Sequence, residues 1–338
     1  MKTASHHCTN FWQVAQRSSA QVFIQICRLS ENTPLALQEC GLHRPPDRQF
    51  RRRHRPWLVV LTILLLLPGL VQQARAEWNT GFRNGFAVHE HAVPGGVALV
   101  DIGPERLPDP KVQFAGKPVM VQKNNGRWIA VVGIPLSLKP GTHELSVFST
   151  VARKNPFKVS GTLYPTQRLT ISDTSRVTPP ASLQQQLVRE QQQMATARQS
   201  WREEFSAGQF QLPLTGRFSS QFGLVRIYNQ TRRGRHSGLD IAAPTGIPVN
   251  AAANGIVVEA GEFHFNGNSV FIDHGQGLVS LYSHLRKFSV AKGQQLQAGE
   301  LIGLVGQTGR VTGPHLHWSV GLNGTWVNPL LFIEEGFP

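Results

Sequence analysis

The stretch TGPHLHWSV, residues 312–320, places two histidines two positions apart just after a Gly-Pro pair. Side chains on a β-strand alternate between its two faces, so His315 and His317 are predicted to point the same way. A strand that aims two imidazoles at one point usually provides them to a shared partner, and a metal ion is the partner that imidazole chemistry favours. We therefore predict a metal site on this strand, with its remaining ligands supplied from elsewhere in the chain.

The stretch RHSGLDIAAP, residues 235–244, offers two such ligands, His236 and Asp240. On a straight strand these residues lie roughly 13 Å apart, too far to reach one ion. The intervening Ser237-Gly238 allows the chain to curl, because glycine tolerates a sharp bend. The curled pair and one strand histidine would give two imidazoles and one carboxylate, and a fourth tetrahedral position would stay open, as in catalytic zinc sites. An ion there would lower the pKa of water towards 7, so amide hydrolysis is the expected reaction.

The residues around these histidines predict a mainly β chain. Residues 206–338 alternate β-rich runs with glycine turns, as in NSVFIDHGQGLVSLYSHL, which favours an antiparallel β-fold with little helix. Residues 77–175 hold further short β-rich runs between Pro and Gly, with an Asn-Asn-Gly turn at 124–126. We predict an amino-terminal β-sandwich there.

A helical linker is predicted between these domains, over residues 176–205. Its apolar residues follow helical spacing and form one stripe, made of Leu183, Leu187, Met194, Trp201 and Phe205. Because the stripe lasts only about three heptads, packing on a neighbouring domain is favoured over a coiled coil.

The amino terminus has the three parts of a secretory signal. RRRHRPWLVVLTILLLLPGLVQQARAEW, residues 51–78, gives a basic stretch, an apolar run and Ala-Arg-Ala, which predicts cleavage after Ala76. The apolar run is shorter than the roughly 20 residues that span a bilayer, so an uncleaved anchor is the weaker alternative. Residues 1–76 are therefore assigned to an upstream segment and signal peptide. All three cysteines lie in that segment, so the exported chain would hold a metal by His, Asp or Glu.

The formal net charge is +14, and half of it, +7, lies in residues 1–76. The remaining basic charge would attract polyanions, including a cell wall with acidic stem peptides. Nucleic acid is not the expected partner, because the basic residues are not interleaved with stacking aromatics. The basic stretch RIYNQTRRGR, residues 226–235, is interpreted either as a loop that meets peptide carboxylates or as a solvated surface loop.

Residues 216–332 resemble the lysostaphin/LytM-type zinc endopeptidases, which cut peptide cross-links in bacterial cell walls. The matching stretches are HSGLDIAAPTGIPVNAAANGIV (236–257), GNSVFIDHGQGLVSLYSHL (267–285) and TGRVTGPHLHWSV (308–320). They cover nearly the whole carboxy-terminal domain, whereas a lone His-x-His would be a weak signal. The amino-terminal domain is similar to those that precede this peptidase in Gram-negative members.

The resemblance implies roles for five residues. His236, Asp240 and His317 would be the zinc ligands, and His315 and His284 would be unligated and catalytic. One of the two unligated histidines would accept a proton from the attacking water, and the other would stabilise the oxyanion or protonate the leaving amine. The sequence leaves open which histidine does which.

The expected function is that of an exported zinc metalloendopeptidase that hydrolyses peptidoglycan cross-links in the periplasm of a Gram-negative bacterium. The resemblance favours a D,D-endopeptidase that cuts D-alanyl-diaminopimelate bonds, with cleavage of a glycine bridge as the alternative. The alternative is a catalytically latent or non-enzymatic regulator that binds peptidoglycan stem peptides and acts on another wall hydrolase. For the amino-terminal domain, either intramolecular inhibition of the groove or positioning on the wall is expected.

Overall fold

The computed structural model describes residues 80–82 and 84–334. The predicted signal peptide lies outside these residues. Contacts divide the chain into two units, Met1–Val60 and Leu61–Pro338, and every described residue belongs to the second. In the part of the chain that the structure describes, no helix is long and apolar enough to cross a bilayer. Nearly half of these residues form strands, which pair almost entirely antiparallel, and helix is scarce, so the mainly β prediction is confirmed.

Six antiparallel strands form the amino-terminal sheet, in the order β3–β6–β5–β4–β7–β8. The two-residue strands β1 (Thr80–Gly81) and β2 (Ala87–Val88) precede it. Its strands are β3 (Val97–Pro104), β4 (Lys111–Phe114), β5 (Lys117–Asn124), β6 (Arg127–Gly133), β7 (Gly141–Phe148) and β8 (Arg153–Val159). The predicted Asn-Asn-Gly turn joins β5 to β6, where Asn125 and Gly126 both have positive φ, as a two-residue hairpin turn requires.

This sheet curls until its two end strands meet. The Asn155 side-chain amide on β8 donates to the Asp101 carbonyl on β3 over 3.3 Å, and Arg153 donates to the carbonyl of Ile102. Alternating residues of all six strands then bury one apolar core, which includes Trp128 and Leu145. The chain leaves this sheet after Val159, before the boundary at residue 175 that the sequence favoured.

One α-helix, α1 (Gln184–Arg198), follows a short 3₁₀ turn at Ala181–Leu183. The prediction of a helical stripe as far as Phe205 is wrong, because α1 ends at Arg198. Beyond it the backbone is held by the neighbouring sheet: the N–H of Gln276 donates to the Arg202 carbonyl over 2.6 Å. Hydrogen bonding to the turn between β16 and β17 therefore replaces the last turns of the helix.

The carboxy-terminal region is built on a ten-stranded antiparallel sheet with the central order β10–β13–β20–β17–β16–β15–β18. Its strands are β10 (Arg217–Ser220), β13 (Leu239–Ala242), β14 (Pro248–Asn250), β15 (Gly255–Phe263), β16 (Gly267–Gly275), β17 (Leu278–Phe288), β18 (Gln295–Leu296), β19 (Leu301–Val305), β20 (His315–Leu322) and β21 (Thr325–Val327). A short 3₁₀ helix, Pro329–Phe332, packs in its core. Strands β13, β20 and β17 are adjacent, and they carry most of the predicted site residues.

A second, three-stranded sheet borders the same region. It contains β9 (Thr166–Leu169), β11 (Val225–Tyr228) and β12 (Thr231–Arg235), and β9 pairs with β11 in parallel. The segment that leaves the amino-terminal sheet therefore adds a strand to the carboxy-terminal region. The prediction that residues 226–235 form a loop is wrong: they form the β11–β12 hairpin, with positive φ at Asn229 and Gln230.

Candidate metal centre and its cleft

The predicted ligands meet across the ladder between β13 and β20. In this antiparallel pair Asp240 lies directly opposite His317. His236 reaches them from the turn before β13, where Gly238 is closely packed: a Cβ on it would lie 2.5 Å from Ser319 Oγ and from the Trp318 carbonyl oxygen. Glycine is therefore required here by the approach of β20, which is a stronger constraint than the bend that the sequence predicted.

The three side chains form a small triangle of possible ligand atoms. His236 Nε2 lies 2.9 Å from Asp240 Oδ1 and 3.0 Å from His317 Nδ1, and the last two atoms are 2.8 Å apart. Ligand atoms around tetrahedral zinc are roughly 3.3 Å apart, since each lies about 2.0–2.1 Å from the ion. The triangle is thus close to the spacing that such an ion needs. Among residues 80–82 and 84–334, no other group of three His, Cys, Asp or Glu residues lies close enough to hold a metal.

Hydrogen bonds fix which imidazole nitrogen faces the triangle. His236 Nδ1 donates to the Gln221 carbonyl over 2.6 Å, so its Nε2 carries a lone pair. That lone pair faces the carboxylate oxygen of Asp240, which is also an acceptor. Two acceptors at 2.9 Å need a positive charge between them, either a proton, which makes the hydrogen bond between His236 and Asp240, or a metal ion. Ser319 Oγ lies 2.9 Å from His317 Nε2 and orients that ring from the side away from the triangle.

Asp240 is held from behind by a partly buried arginine. Arg226 Nη2 lies 2.5 Å from Asp240 Oδ2 and also donates to Ser220 Oγ over 2.8 Å. Burial acts to raise the pKa of Asp240, but hydrogen bonds with His236 and His317 outweigh it and hold that pKa well below its ordinary value. The carboxylate is therefore ionised and ready to bind a cation. The sequence indicated Arg226 only as part of a basic stretch, and did not predict this contact.

His284 is aimed at the site by a local irregularity of β17. The register of β16 and β17 shifts here: Asn268 pairs with Leu285 and Val270 with Tyr282, so two residues of β17 face one residue of β16. His284 has φ of 65°, a strained value for a non-glycine residue. Such a bulge re-aims a side chain, as bulges next to active sites often do.

The two histidines predicted to be catalytic, His284 and His315, lie side by side. The ring centroids of His284 and His315 are 4.9 Å apart, and His315 Nε2 is 3.8 Å from Asp240 Oδ1. His284 Nδ1 donates to the Thr308 carbonyl and His315 Nδ1 to the Gly313 carbonyl, each over 2.8 Å. Both rings therefore keep Nε2 as an acceptor. Burial, and then the neighbouring His315 and His317, lower the pKa of His284 well below its ordinary value, so this ring is neutral at pH 7.

A cleft opens above the triangle. Its lining consists of Arg226, Tyr228, Arg235, His236, Ser237, Phe265, Asn266, His284, Arg310 and His317. All of these residues lie between positions 226 and 317, so the amino-terminal sheet contributes none of them. The arrangement offers a cation site, the neutral imidazole of His284 and a basic rim around one opening.

His274, by contrast, belongs to the core. It is fully buried, its Nδ1 donates to the Asn254 carbonyl over 2.6 Å, and Ser280 Oγ lies 2.8 Å from its Nε2. Burial lowers the pKa of His274 to about 4. His274 is therefore a hydrogen-bonded core residue and not a ligand.

Comparison with known proteins finds two matching families. Residues 234–329 match "Peptidase family M23", and residues 90–161 match "Peptidase family M23 N-terminal domain". A putative M23 peptidase of Pseudomonas aeruginosa of known structure is 40% identical, with a TM-score of 0.62, over 72% of this chain and 96% of that one.

Curated relatives match mainly in the carboxy-terminal region. The DD-carboxypeptidase/endopeptidase Mpg of Neisseria meningitidis is 47% identical over 115 residues, which is 34% of this chain and 26% of that protein. The peptidoglycan DD-endopeptidase ShyA of Vibrio cholerae is 44% identical over 115 residues, 34% of this chain and 27% of that protein. The match thus spans about a quarter of the length of these relatives.

Proposed function

The chain belongs to peptidase family M23, and we propose that it is a zinc-dependent endopeptidase that hydrolyses the peptide cross-links of bacterial peptidoglycan. The observation that carries this proposal is the triangle of His236, Asp240 and His317 at the floor of a cleft. The names of the relatives Mpg and ShyA, both endopeptidases, support the reaction class. ShyA is named for a peptidoglycan DD bond, which supports cleavage of the D-alanyl-diaminopimelate type.

Zinc is the metal that fits the donor atoms. Two imidazole nitrogens and one carboxylate oxygen are the donors of catalytic zinc sites, whereas magnesium and calcium prefer oxygen donors alone. The Gln221 carbonyl on His236 and the Ser319 hydroxyl on His317 supply the outer contacts that orient metal-bound imidazoles. We assign His236, Asp240 and His317 as the ligands.

Zinc in this position would supply Lewis acidity, which polarises a peptide carbonyl and makes water nucleophilic at neutral pH. His284 and His315 have acceptor nitrogens beside the triangle, so one can take the proton of the attacking water. The protonated ring can then stabilise the oxyanion and pass its proton to the leaving amine. The C–N bond breaks, and one water molecule is consumed.

The substrate places the protein outside the cytoplasm. Peptidoglycan lies beyond the inner membrane, and the predicted signal at residues 51–76 would carry the chain to the periplasm. For the amino-terminal sheet, positioning is favoured over inhibition, because every residue that lines the cleft lies between positions 226 and 317. Buried contacts between Gly133 and Asn323 join this sheet to the peptidase region.

The test is release of soluble muropeptides from purified peptidoglycan by the purified protein, with zinc content measured in parallel. We expect one zinc per chain and cleavage that a chelator abolishes. Asp240→Ala should lose both zinc and cleavage, whereas Asp109→Ala, an exposed residue of the amino-terminal region, should keep both. Zinc without cleavage would indicate a latent enzyme, and absence of both would leave the wall-binding regulator.

A further inference from the structure

The lining of the cleft is strongly basic. It includes Arg226, Arg235 and Arg310, and the described side chains that line it include no aspartate or glutamate. Arg226 is neutralised by its ion pair with Asp240. Arg235 and Arg310 also line the opening, and a lining rich in arginine favours an anionic substrate.

Arg310 is the more rigidly held of these two arginines. Its guanidinium lies 4.5 Å from the ring centroid of Tyr228 and 4.6 Å from that of Phe265. Its backbone N–H donates to the Phe265 carbonyl over 2.8 Å, and Nη1 donates to the Arg176 carbonyl over 3.4 Å. A guanidinium fixed in this way loses little further entropy when its planar edge binds a partner.

Arg235 is held less firmly. It is exposed, its Nη1 donates to the Gly223 carbonyl over 3.5 Å, and its guanidinium contacts one ring, that of Tyr164, at 5.2 Å from the centroid. A substrate that bound Arg235 would have to order this exposed side chain, which costs conformational entropy. Arg310 is therefore the better candidate for specific recognition.

The segment before α1 supports Arg310 from behind. Tyr228 packs in a small apolar cluster with Ile171 and Val177, while Arg176 hydrogen-bonds the His264 carbonyl next to Phe265. Residues 171–177 therefore pack against the Tyr228 ring and hydrogen-bond the backbone beside Phe265. The position of the guanidinium is fixed by the tertiary structure and not by its own loop alone.

We propose that Arg310 recognises a carboxylate of the substrate peptide and sets the specificity of the cleft; this inference rests on the proposed endopeptidase function. Arginine suits the task because its planar edge pairs with a carboxylate through two parallel hydrogen bonds. A wall peptide offers two sources, the carboxylate at a peptide carboxy terminus and the side-chain carboxylate of an acidic or diamino-acid residue.

The test uses three cross-linked peptides that differ by one group: the parent, its carboxy-terminal amide and its side-chain amide. With the zinc-loaded wild-type protein, one of the amides should lower kcat/KM by about 10- to 100-fold, and that amide identifies the source.

Arg310→Gln should lower kcat/KM for the parent peptide by a similar factor, and amidation of the peptide should then lower it no further. Arg310→Lys should retain more of the discrimination than Arg310→Gln does. The matched control is Arg286→Gln, an exposed arginine outside the cleft, which should behave as wild type.

Two outcomes would overturn the inference: equal cleavage of all three peptides by the wild type, which requires no variant to fold, or unchanged discrimination in Arg310→Gln. Binding of the same peptides to His284→Ala, measured by calorimetry, separates this inference from the proposed function. Discrimination in binding, without cleavage by the wild type, would refute the peptidase and keep the role of Arg310. Cleavage by the wild type without discrimination in either assay would refute the role of Arg310 and keep the peptidase.

Discussion

Asp240 and His317 lie directly opposite each other on adjacent antiparallel strands, with Asp240 Oδ1 and His317 Nδ1 only 2.8 Å apart. The ladder between β13 and β20 therefore presets two corners of the proposed metal site before any ion binds. The third corner, His236, depends on the close approach that Gly238 allows. Preset ligands of this kind cost little reorganisation when the metal enters.

Arg226→Gln should weaken zinc binding by about 10- to 100-fold, because loss of an outer-shell partner frees the Asp240 carboxylate to move. The dissociation constant for zinc, measured by competition with a chromogenic chelator, checks this prediction. Arg217→Gln, an exposed arginine on β10, serves as the matched control. An unchanged zinc affinity in Arg226→Gln would show that the ion pair has no part in holding the metal.

His284→Ala and His315→Ala should each keep zinc but lower kcat by about 10²- to 10⁴-fold, the usual range for general acid–base residues. Asp240→Ala, in contrast, should lose zinc as well. Zinc content and muropeptide release, measured on the same preparations, distinguish the two kinds of variant. If either histidine variant lost its zinc, that histidine would have to be reassigned as a ligand.

Acid should destabilise the fold through His274. Its folded-state pKa is lowered to about 4, whereas the unfolded chain titrates near the ordinary value of about 6.5. The unfolded state therefore binds more protons between these values, and the free energy of unfolding falls as pH falls through this window, by up to about 3 kcal/mol.

Urea unfolding at pH 7.5 and pH 4.5 measures this loss. His274→Asn is less stable at both values, since the Asn254 carbonyl and Ser280 hydroxyl lose their partner, but its stability should change less between them. His143→Gln, at a half-buried histidine of the amino-terminal sheet, is the control and should keep the wild-type pH dependence. If the stability of His274→Asn changed with pH as much as that of the wild type does, His274 would not be the source of the acid destabilisation.

Asn323→Ala should loosen the amino-terminal sheet without touching the metal site. Asn323 exchanges two buried hydrogen bonds with Gly133, Oδ1 accepting over 2.6 Å and Nδ2 donating over 3.0 Å. Removing both leaves two buried backbone groups unpaired and should cost about 2–3 kcal/mol of unfolding free energy.

Asn125→Ala is a suitable control, because Asn125 also has positive φ but is exposed in a hairpin turn. Its cost, about 1–2 kcal/mol, measures the strain of alanine at positive φ alone, and Asn323→Ala should exceed it by the two lost hydrogen bonds. Zinc content should be unchanged in both variants. Loss of zinc from Asn323→Ala would show instead that the amino-terminal sheet is needed to form the metal site.

Much of the fold was predictable because its local patterns are strong. The Asn-Asn-Gly turn predicted the β5–β6 hairpin, since residues with positive φ are needed there. The helix was predicted over too long a range: the spacing of Trp201 and Phe205 continues the stripe, yet both lie beyond Arg198. Periodicity shows which residues share a face of a helix. It does not show where hydrogen bonds to another part of the chain, here the turn between β16 and β17, end the helix.

The sequence by itself determined the chemical composition of the site. Alternation along one strand aligned His315 with His317, and His-x-x-x-Asp supplied the other two donors, since both patterns act over a few residues. Tertiary structure alone decided the rest, because those contacts join distant parts of the chain. His236 meets His317 across 81 positions, Arg226 reaches Asp240 from another sheet, and residues 171–177 pack against the Tyr228 ring beside Arg310. Spacing in a sequence fixes local geometry, whereas only packing brings remote strands close enough to share one ion.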